Sequence, residues 1–257
     1  MKIFIRQTGK NYFLKKLKFI IVSFLFILFF LPKVFTGQGE NKTLPSSTEE
    51  LNMLLYGNSD ELINGKTYHP EHPFAEGNPY FGDRWRISGT IFIKGNKYPG
   101  QVIGYDIVNE KVILSAFQRN GAQFEVELNE TIIDSMIIGN TFFINSAMNI
   151  IPGFEKGFIE IIYKGDFMFV KKHKKTFMSQ YSTNFPNGFY TKDQGNYFII
   201  FDSVPIQISS IKSLLKEFET HQKDIKKYMR SVKFKFKKAT NQQWVNLLLY
   251  CDKLDSV

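Results

Sequence analysis

A long series of short β-type runs between Trp85 and Asp202 constrains this chain most. Turn residues separate the runs, and Asn120-Gly121 is the strongest hairpin signal because both residues tolerate a positive φ. In AQFEVEL (122–128), apolar and polar residues alternate, which is typical of a strand with one face on the core and one in water. The sequence therefore predicts a mainly β (α+β) fold, an antiparallel β-meander of about nine or ten strands. Such a meander hides its edges by closing as a barrel or folding as a sandwich.

The periodicity changes after Pro205, where apolar residues begin to recur every three or four positions. This spacing predicts one amphipathic helix from about residue 209 and a second in TNQQWVNLLLYCDKL (240–254). Because about 50 residues make a poor core of their own, we expect this C-terminal two-helix appendage (209–254) to pack on the sheet. Cys251, the only cysteine, lies on the apolar stripe of the second helix and is expected in the core, without an internal disulfide.

The N-terminus has the two parts of a secretory signal in the right order. Six basic residues and no acidic one precede the apolar run Phe19–Leu31. This run is shorter than the roughly 20 apolar residues that a membrane-spanning helix needs. We therefore expect cleavage between Thr36 and Gly39, with retention as an N-terminal anchor as the alternative. No cysteine follows the run closely, so the chain is not expected to be a lipoprotein.

Three segments are expected along the chain. Residues 1–37 are the signal peptide, residues 38–48 a flexible polar leader, and residues 49–257 a single β-rich domain that includes the helical hairpin. Within that domain, residues 64–84 hold three prolines and four aromatic residues. Since proline removes backbone donors, this stretch is expected to be irregular and to pack its aromatic rings across one end of the domain as a plug.

The net charge of +9 belongs mostly to the signal, which holds seven Lys and Arg and no acidic residue. The mature chain keeps 26 basic and 24 acidic residues, so its overall charge favours no general affinity for nucleic acid or membranes. The charge is uneven, however, because residues 164–257 hold 17 basic and eight acidic residues. This asymmetry suits docking to an anionic partner or a second copy, and the alternative is a solvated, lysine-rich helical face.

A set of short motifs runs through the strand region and leads to a Lys-rich helix, LLKEFETHQKDIKKYM (214–229). The motif positions are His72–Phe74, Trp85, Gly89–Ile91, Tyr98, Tyr105–Ile107 and Val112. The pattern resembles an uncharacterised exported family that is common in Bacteroidetes-type Gram-negative bacteria. The resemblance covers most of the mature chain and implies a periplasmic or outer-envelope location, but no activity and no catalytic residues. Gly104 departs from the pattern, which leads us to expect a bulky strand residue there.

The candidate metal ligands are His69 and His72, at the two ends of a His-Pro-Glu-His stretch. Two imidazoles can bind zinc when they face one point. Here prolines lie among them and no helix aligns them, so a structural loop with His72 hydrogen-bonded to the backbone is favoured, and no metal or cofactor is expected. His173 is flanked by four lysines within residues 171–175, which are expected to disfavour a cationic imidazole.

The candidate catalytic residues are the carboxylates Asp83, Asp106 and Glu160, which lie near predicted strands. Two such groups can pair across a cleft, as glycoside hydrolysis requires. For Asp106, a structural hydrogen bond to the turn at Asn109 or to a nearby arginine is favoured over catalysis, because a charge late in an apolar strand needs a partner.

The candidate residues for ligand binding are four aromatics, Phe167, Phe169, Tyr197 and Phe198. Such rings can line a cavity for an apolar ligand, or they can fill the core at alternate strand positions.

Export without a recognisable catalytic motif favours a non-enzymatic envelope protein, peripherally held, that binds a protein partner and no nucleic acid. The first alternative is a carrier of a small apolar ligand in a barrel. The second is a hydrolase of envelope or polysaccharide substrates that uses strand-end carboxylates. A partner-binding protein needs an exposed apolar patch or sheet edge, a carrier needs an apolar cavity, and a hydrolase needs two carboxylates in one open cleft, about 5–10 Å apart.

Overall fold

The structure, a computed structural model, describes residues 62, 65–82, 85–117, 122–148, 151, 154, 157–202 and 204–255. All of these residues belong to one unit of the chain, Asn52–Val257. The expected signal peptide, the leader and the Asn120-Gly121 turn lie outside the described residues.

Two antiparallel sheets contain the strands of the described residues. The larger has eleven strands, in the sheet order β1 (Gly65–Thr67), β5 (Gln123–Leu128), β4 (Lys111–Phe117), β3 (Asn96–Asp106), β2 (Ile87–Ile93), β6 (Ile133–Ile138), β7 (Thr141–Asn145), β8 (Phe158–Lys164), β9 (Met168–Lys172), β12 (Asn196–Phe201) and β13 (Val204–Ile208). The smaller pairs β10 (Phe177–Met178) with β11 (Phe189–Tyr190). The prediction of a mainly β, antiparallel fold is confirmed.

Strands β1 and β13 form where the sequence predicted none, and both lie at an edge of the larger sheet. β13 contains Pro205, which lies opposite Ile200 of β12. Proline is tolerated in an edge strand because its missing donor can face away from the ladder. The segment 64–84 is likewise not wholly irregular, because its residues Gly65–Thr67 pair with β5.

The larger sheet is strongly curved, so that strands far apart in sheet order face each other. The ring centroids of Tyr105 in β3 and Phe158 in β8 are 5.6 Å apart, although three strands lie between them in the sheet. In a flat sheet these two strands would be about 19 Å apart. The carboxylate of Glu110, just after β3, also accepts a hydrogen bond from Nζ of Lys172 in β9 at 2.6 Å. The curvature therefore brings the β3–β4 hairpin against β8 and β9.

Apolar side chains cover one face of the sheet in two clusters. The first lies inside the curve, and the second lies beneath the C-terminal helices. A single row of cross-strand partners runs between them, from Phe143 through Glu160 and Lys171 to Tyr197. The charged pair Glu160 and Lys171 thus lies on the same face as the apolar residues and separates the two clusters.

Gly104 is required by a close approach of the backbone. It pairs with Ile113 in the ladder between β3 and β4, and a Cβ atom at this position would overlap the carbonyl oxygen of Trp85. The glycine that departs from the family pattern therefore makes room for the chain as it enters β2.

The structure describes three α-helices after β13: α1 (Ile211–Lys216), α2 (Gln222–Ser231) and α3 (Asn241–Asp255). The sequence predicted two, but the first is broken between α1 and α2 without a proline or glycine. At the break, the buried Phe218 lies with its ring centroid 5.5 Å from Phe167 and 6.2 Å from Phe201 of the sheet. Contact with the sheet therefore explains the break. Within the described part of the chain, none of the helices is long and apolar enough to cross a membrane.

Trp244 of α3 lies at the centre of the cluster beneath the helices. It is fully buried, and its ring centroid lies 4.7 Å from Phe169, 5.1 Å from Tyr197 and 4.9 Å from Phe234. Its Nε1 atom has no hydrogen-bond partner among the described residues, so packing is its contribution. Cys251 of the same helix is fully buried, which confirms its predicted place in the core.

We expect Trp244→Ala to lower the free energy of unfolding by about 4 kcal/mol, because truncation of a buried tryptophan leaves a large cavity. Leu249→Ala is the matched control, since Leu249 lies on the same helix and is 43% exposed. It should cost less than about 1 kcal/mol. Urea unfolding followed by circular dichroism measures both, and equal losses would contradict the central place of Trp244.

Candidate functional site

One wall of the candidate site is built from the segment 68–82 and the small β10–β11 sheet. The two are joined by backbone hydrogen bonds, from the amide of Glu76 to the carbonyl of Gly188 and from the amide of Tyr190 to the carbonyl of Glu76. The expectation that every aromatic ring of this segment packs is wrong for Phe74, which is 82% exposed. The chain here makes a wall and leaves one ring in solvent.

An open cleft of about 560 Å³ lies where this wall meets β8 and β9. Its polar lining is Asn78, Thr141, Glu160, Lys171, His173, Lys175, Tyr190, Thr191, Lys192, Asp193 and Asn241. Four of these side chains carry or can carry a positive charge and two are carboxylates. Its three lysines outnumber the two carboxylates, so the lining is cationic, and protonation of His173 adds one more positive charge.

His173, directly after β9, is buried between two carboxylates. Its Nε2 atom lies 2.7 Å from Oε2 of Glu160 in β8, and its Nδ1 atom lies 2.6 Å from Oδ2 of Asp193. Because a carboxylate accepts hydrogen bonds, this geometry suits the doubly protonated, cationic ring, in which both nitrogens donate. It then has no lone pair with which to bind a metal or to take up a proton.

Both carboxylates have further donors, and together these contacts form what we call the His173 network. Oε1 of Glu160 accepts from Nδ2 of Asn241, the first residue of α3, at 2.5 Å. Oδ2 of Asp193 accepts from Nζ of Lys171 at 2.7 Å. Its Oδ1 accepts from the backbone amides of Lys174 and Gly195. The network therefore ties together β8, β9, the loop before β12 and the start of α3.

The electrostatics of the network are set by competition between burial and pairing. Burial by itself lowers the pKa of His173, but its hydrogen bonds to Asp193 and Glu160 outweigh burial and raise the pKa above its ordinary value. Burial likewise raises the pKa of Asp193, but His173 and Lys171 lower it well below its usual range. Lys171 does lower the pKa of His173, as expected for an adjacent lysine, but the two carboxylates that the fold brings to the ring outweigh this effect.

Two of the three candidate carboxylates belong to the described residues, and these two lie in different surroundings. Asp83 is outside the described residues. Asp106 is buried, and its Oδ1 accepts from the backbone amide of Asn109 at 3.0 Å, which confirms the predicted structural hydrogen bond. Asp106 and Glu160 have different hydrogen-bond partners, and Glu160 is instead joined to His173.

The candidate metal ligands differ in their surroundings. The ring of His72 stacks on Phe177 with a centroid distance of 3.6 Å, whereas His69 is exposed. Across the described ranges, no group of three or more His, Cys, Asp or Glu side chains could hold a metal ion. Stacking gives His72 a packing contact with the small sheet.

The candidate ligand-binding aromatics lie on both faces of the large sheet. Phe167, Phe169 and Tyr197 are packed with the helices, as described above for Phe218 and Trp244. Phe198 points to the opposite face, where its ring centroid lies 4.8 Å from that of Phe154. The structure thus gives these rings packing contacts on two separate faces and does not gather them around one site.

Four residues of the network were not proposed from the sequence: Lys171, His173, Asp193 and Asn241. One local signal exists, because the spacing of Lys171 and His173 places both on the same face of a strand next to apolar positions. Asp193 and Asn241 arrive from a loop and a helix, and no local pattern indicates that they meet His173.

Comparisons with protein-family models, with curated proteins and with solved structures found no match for this chain. The chemistry of the cleft is therefore inferred from its own residues.

The network predicts a pH-dependent contribution to stability. His173→Gln should lower the free energy of unfolding by about 3 kcal/mol at mildly acidic pH, because it leaves two carboxylates without their cation. Folding raises the pKa of His173, so its contribution is complete below about pH 6.5, the unfolded value, and is lost as the pH rises through the folded pKa. Folding lowers the pKa of Asp193, so that contribution is present above about pH 3.9 and lost as the pH falls through the folded pKa.

Urea unfolding of the wild type and of His173→Gln across this pH range measures the effect. The difference between the two should shrink as the pH rises above about 6.5. His69→Gln, at an exposed histidine, is the control and should show no such trend. A difference that stays constant with pH would contradict a charged His173.

Proposed function

We propose that this chain is an exported, non-enzymatic protein of the cell envelope that binds a protein partner, and that its cleft holds an acidic group of that partner. Export is supported by the signal-like N-terminus and by the resemblance to the exported family, to which we propose the chain belongs. The observation that carries the binding proposal is the closed His173 network at the base of a cationic cleft.

The network supports binding over catalysis. A glycoside hydrolase needs one protonated carboxylic acid and a second carboxylate that can be reached by water or sugar. Glu160 is buried against the cationic His173, with a side chain only 4% exposed. Asp193 is held ionised, because its pKa is lowered by His173 and Lys171 in spite of burial. Neither group suits the role of a general acid.

The charge of the cleft favours an acidic group as its occupant. Glu160 and Asp193 form hydrogen bonds with His173 and Lys171, and the lining holds two further lysines, Lys175 and Lys192. Lys175 donates to the backbone carbonyl of Asn78 in the wall, whereas Lys192 is exposed at the rim. A carboxylate that enters the cleft gains charge-assisted hydrogen bonds there.

Exposed aromatic rings on the wall favour a protein as the partner. Phe74, in the segment 68–82, is 82% exposed, and Tyr181, between β10 and β11, is 69% exposed. Aromatic side chains are enriched in protein interfaces and commonly carry a large part of the binding energy. Exposed rings in one part of the wall and the cationic lining in another give a partner both apolar and charged groups to contact.

The proposal includes a finer description of the sheet than the antiparallel order alone. We infer a partly closed roll, intermediate between the barrel and the sandwich that the sequence predicted. The contacts of Tyr105 with Phe143 and Phe158 support it, because these rings meet inside the curve. Because side chains fill the interior of such a roll, a cleft can form at the boundary between the two apolar clusters.

The test is native mass spectrometry of the protein extracted from its own cell envelope without detergent. We expect the wild type to retain a second protein and Lys192→Glu to lose it, because reversing the rim charge repels an acidic group and weakens binding at least about tenfold. Lys97→Glu makes the same change of charge at an exposed lysine of β3 and should keep the complex.

Recovery of the wild type as a bare monomer, or with only a small molecule attached, would overturn the proposal. A complex that survives Lys192→Glu would place the partner away from the cleft.

A further inference from the structure

The exposed side of α2 and the connector after it form a second charged surface, made of residues other than those of the cleft. We call it the α2 basic surface, and its main residues are Lys223, Lys226, Lys227, Arg230, Lys233 and Lys235. All six are exposed, and none forms an ion pair with another described residue. Two more lysines follow in the connector, and Asp224 is the only acidic residue of the same stretch.

Helical spacing gathers four of these charges on one face of α2. Lys223, Lys226, Lys227 and Arg230 are related by i, i+3, i+4 and i+7, so they are neighbours on the helix surface, while the opposite side buries Ile225. Like charges at this spacing destabilise a helix. Asp224, at i, i+3 from Lys227, is the one acidic residue of α2, so this helix carries four cations against one carboxylate. The excess of positive charge favours a counter-charge supplied from outside the protein.

An apolar pocket of about 350 Å³ opens within the α2 basic surface. Its floor is formed by Ile211, Met229 and Phe234, and its rim by Lys226, Arg230, Lys233 and Lys235. Val232, which is 42% exposed, stands beside the rim in the turn after α2. A backbone hydrogen bond of 2.8 Å from the amide of Phe234 to the carbonyl of Met229 holds this turn in place. The pocket therefore offers apolar contact directly beside four positive charges.

We propose that the α2 basic surface binds the anionic lipids of a membrane surface, with lipid phosphates at the cationic rim and the apolar part of one lipid against the pocket floor. A membrane with anionic lipids presents many phosphates in one plane, which suits a row of cations on a helix. An apolar floor framed by cations fits an amphiphile better than it fits an acidic protein segment.

Co-sedimentation with vesicles tests the proposal on the intact protein. The probes are vesicles of phosphatidylcholine mixed with phosphatidylglycerol and, as the neutral reference, phosphatidylcholine alone. We expect binding to the mixed vesicles, little binding to the neutral ones, and loss of binding at high salt because the charges are exposed. Lys226→Gln with Lys235→Gln removes two rim charges and should weaken binding by about 25-fold, at about fivefold for each charge.

The matched control removes two exposed lysines elsewhere, Lys97→Gln with Lys164→Gln, and should bind nearly as the wild type does. Circular dichroism of both double variants establishes that each is folded. Equal loss in the two would overturn the proposal, because net charge alone would then account for binding. The proposal would also be overturned if the wild type bound no vesicles but did bind poly-glutamate, and the rim variant did not. That result would assign the surface to an acidic protein.

Discussion

Apolar side chains line one face of a single eleven-stranded sheet, and the rest of the fold removes that face from water. Hydrophobic burial is the main favourable term in folding, so this constraint acts on every element. The first half of the sheet covers itself by curving, which brings Tyr105 against Phe158. The second half is covered by the helices, with Trp244 in contact with Phe169 and Tyr197.

At the boundary between the two halves of the sheet, charged side chains are buried, which is unfavourable unless they are paired. Glu160 and Lys171 occupy adjacent positions of a row whose other members are apolar. Burying a carboxylate is costly unless it is paired and hydrogen-bonded, and the chain meets this requirement with His173 between Glu160 and Asp193. Since Asn241 joins the network from α3, the contacts that satisfy the buried charges also attach the helical layer to the sheet. Stability and the shape of the cleft thus depend on the same few residues.

The two proposed binding surfaces differ in their electrostatics, and the difference suits different occupants. In the cleft, positive and negative groups are paired in fixed geometry, which favours one acidic group in one position. On the α2 basic surface, exposed basic residues form no ion pair with another described residue and surround an apolar floor, which favours a diffuse array of anionic headgroups. A protein with both surfaces can lie against an envelope membrane while it holds a partner by the cleft.

Much of the fold was predictable because local patterns carry it. Alternation of apolar and polar residues between turn signals indicated β2 to β9 and β12, and helical spacing indicated the C-terminal helices. The pattern did not indicate β13, because Pro205 is compatible with a strand only at an edge, and edge position is a property of the sheet. It also did not indicate the break before α2, which follows from the contact of Phe218 with Phe167 and Phe201.

The candidate site was less predictable for the same reason. By itself, the sequence determined nine strands of the larger sheet, the helical character of the C-terminal segment and the presence of carboxylates near strands, Glu160 among them. The four lysines beside His173 were visible in the sequence, and Lys171 does lower its pKa, but the two carboxylates that raise it are not adjacent in the chain. Only the tertiary structure decided that β8, β9, the loop before β12 and α3 meet at one point. Which charges can pair depends on which elements become neighbours in space. Those neighbours are determined by burial of the apolar face as a whole, and not by any local pattern in the sequence.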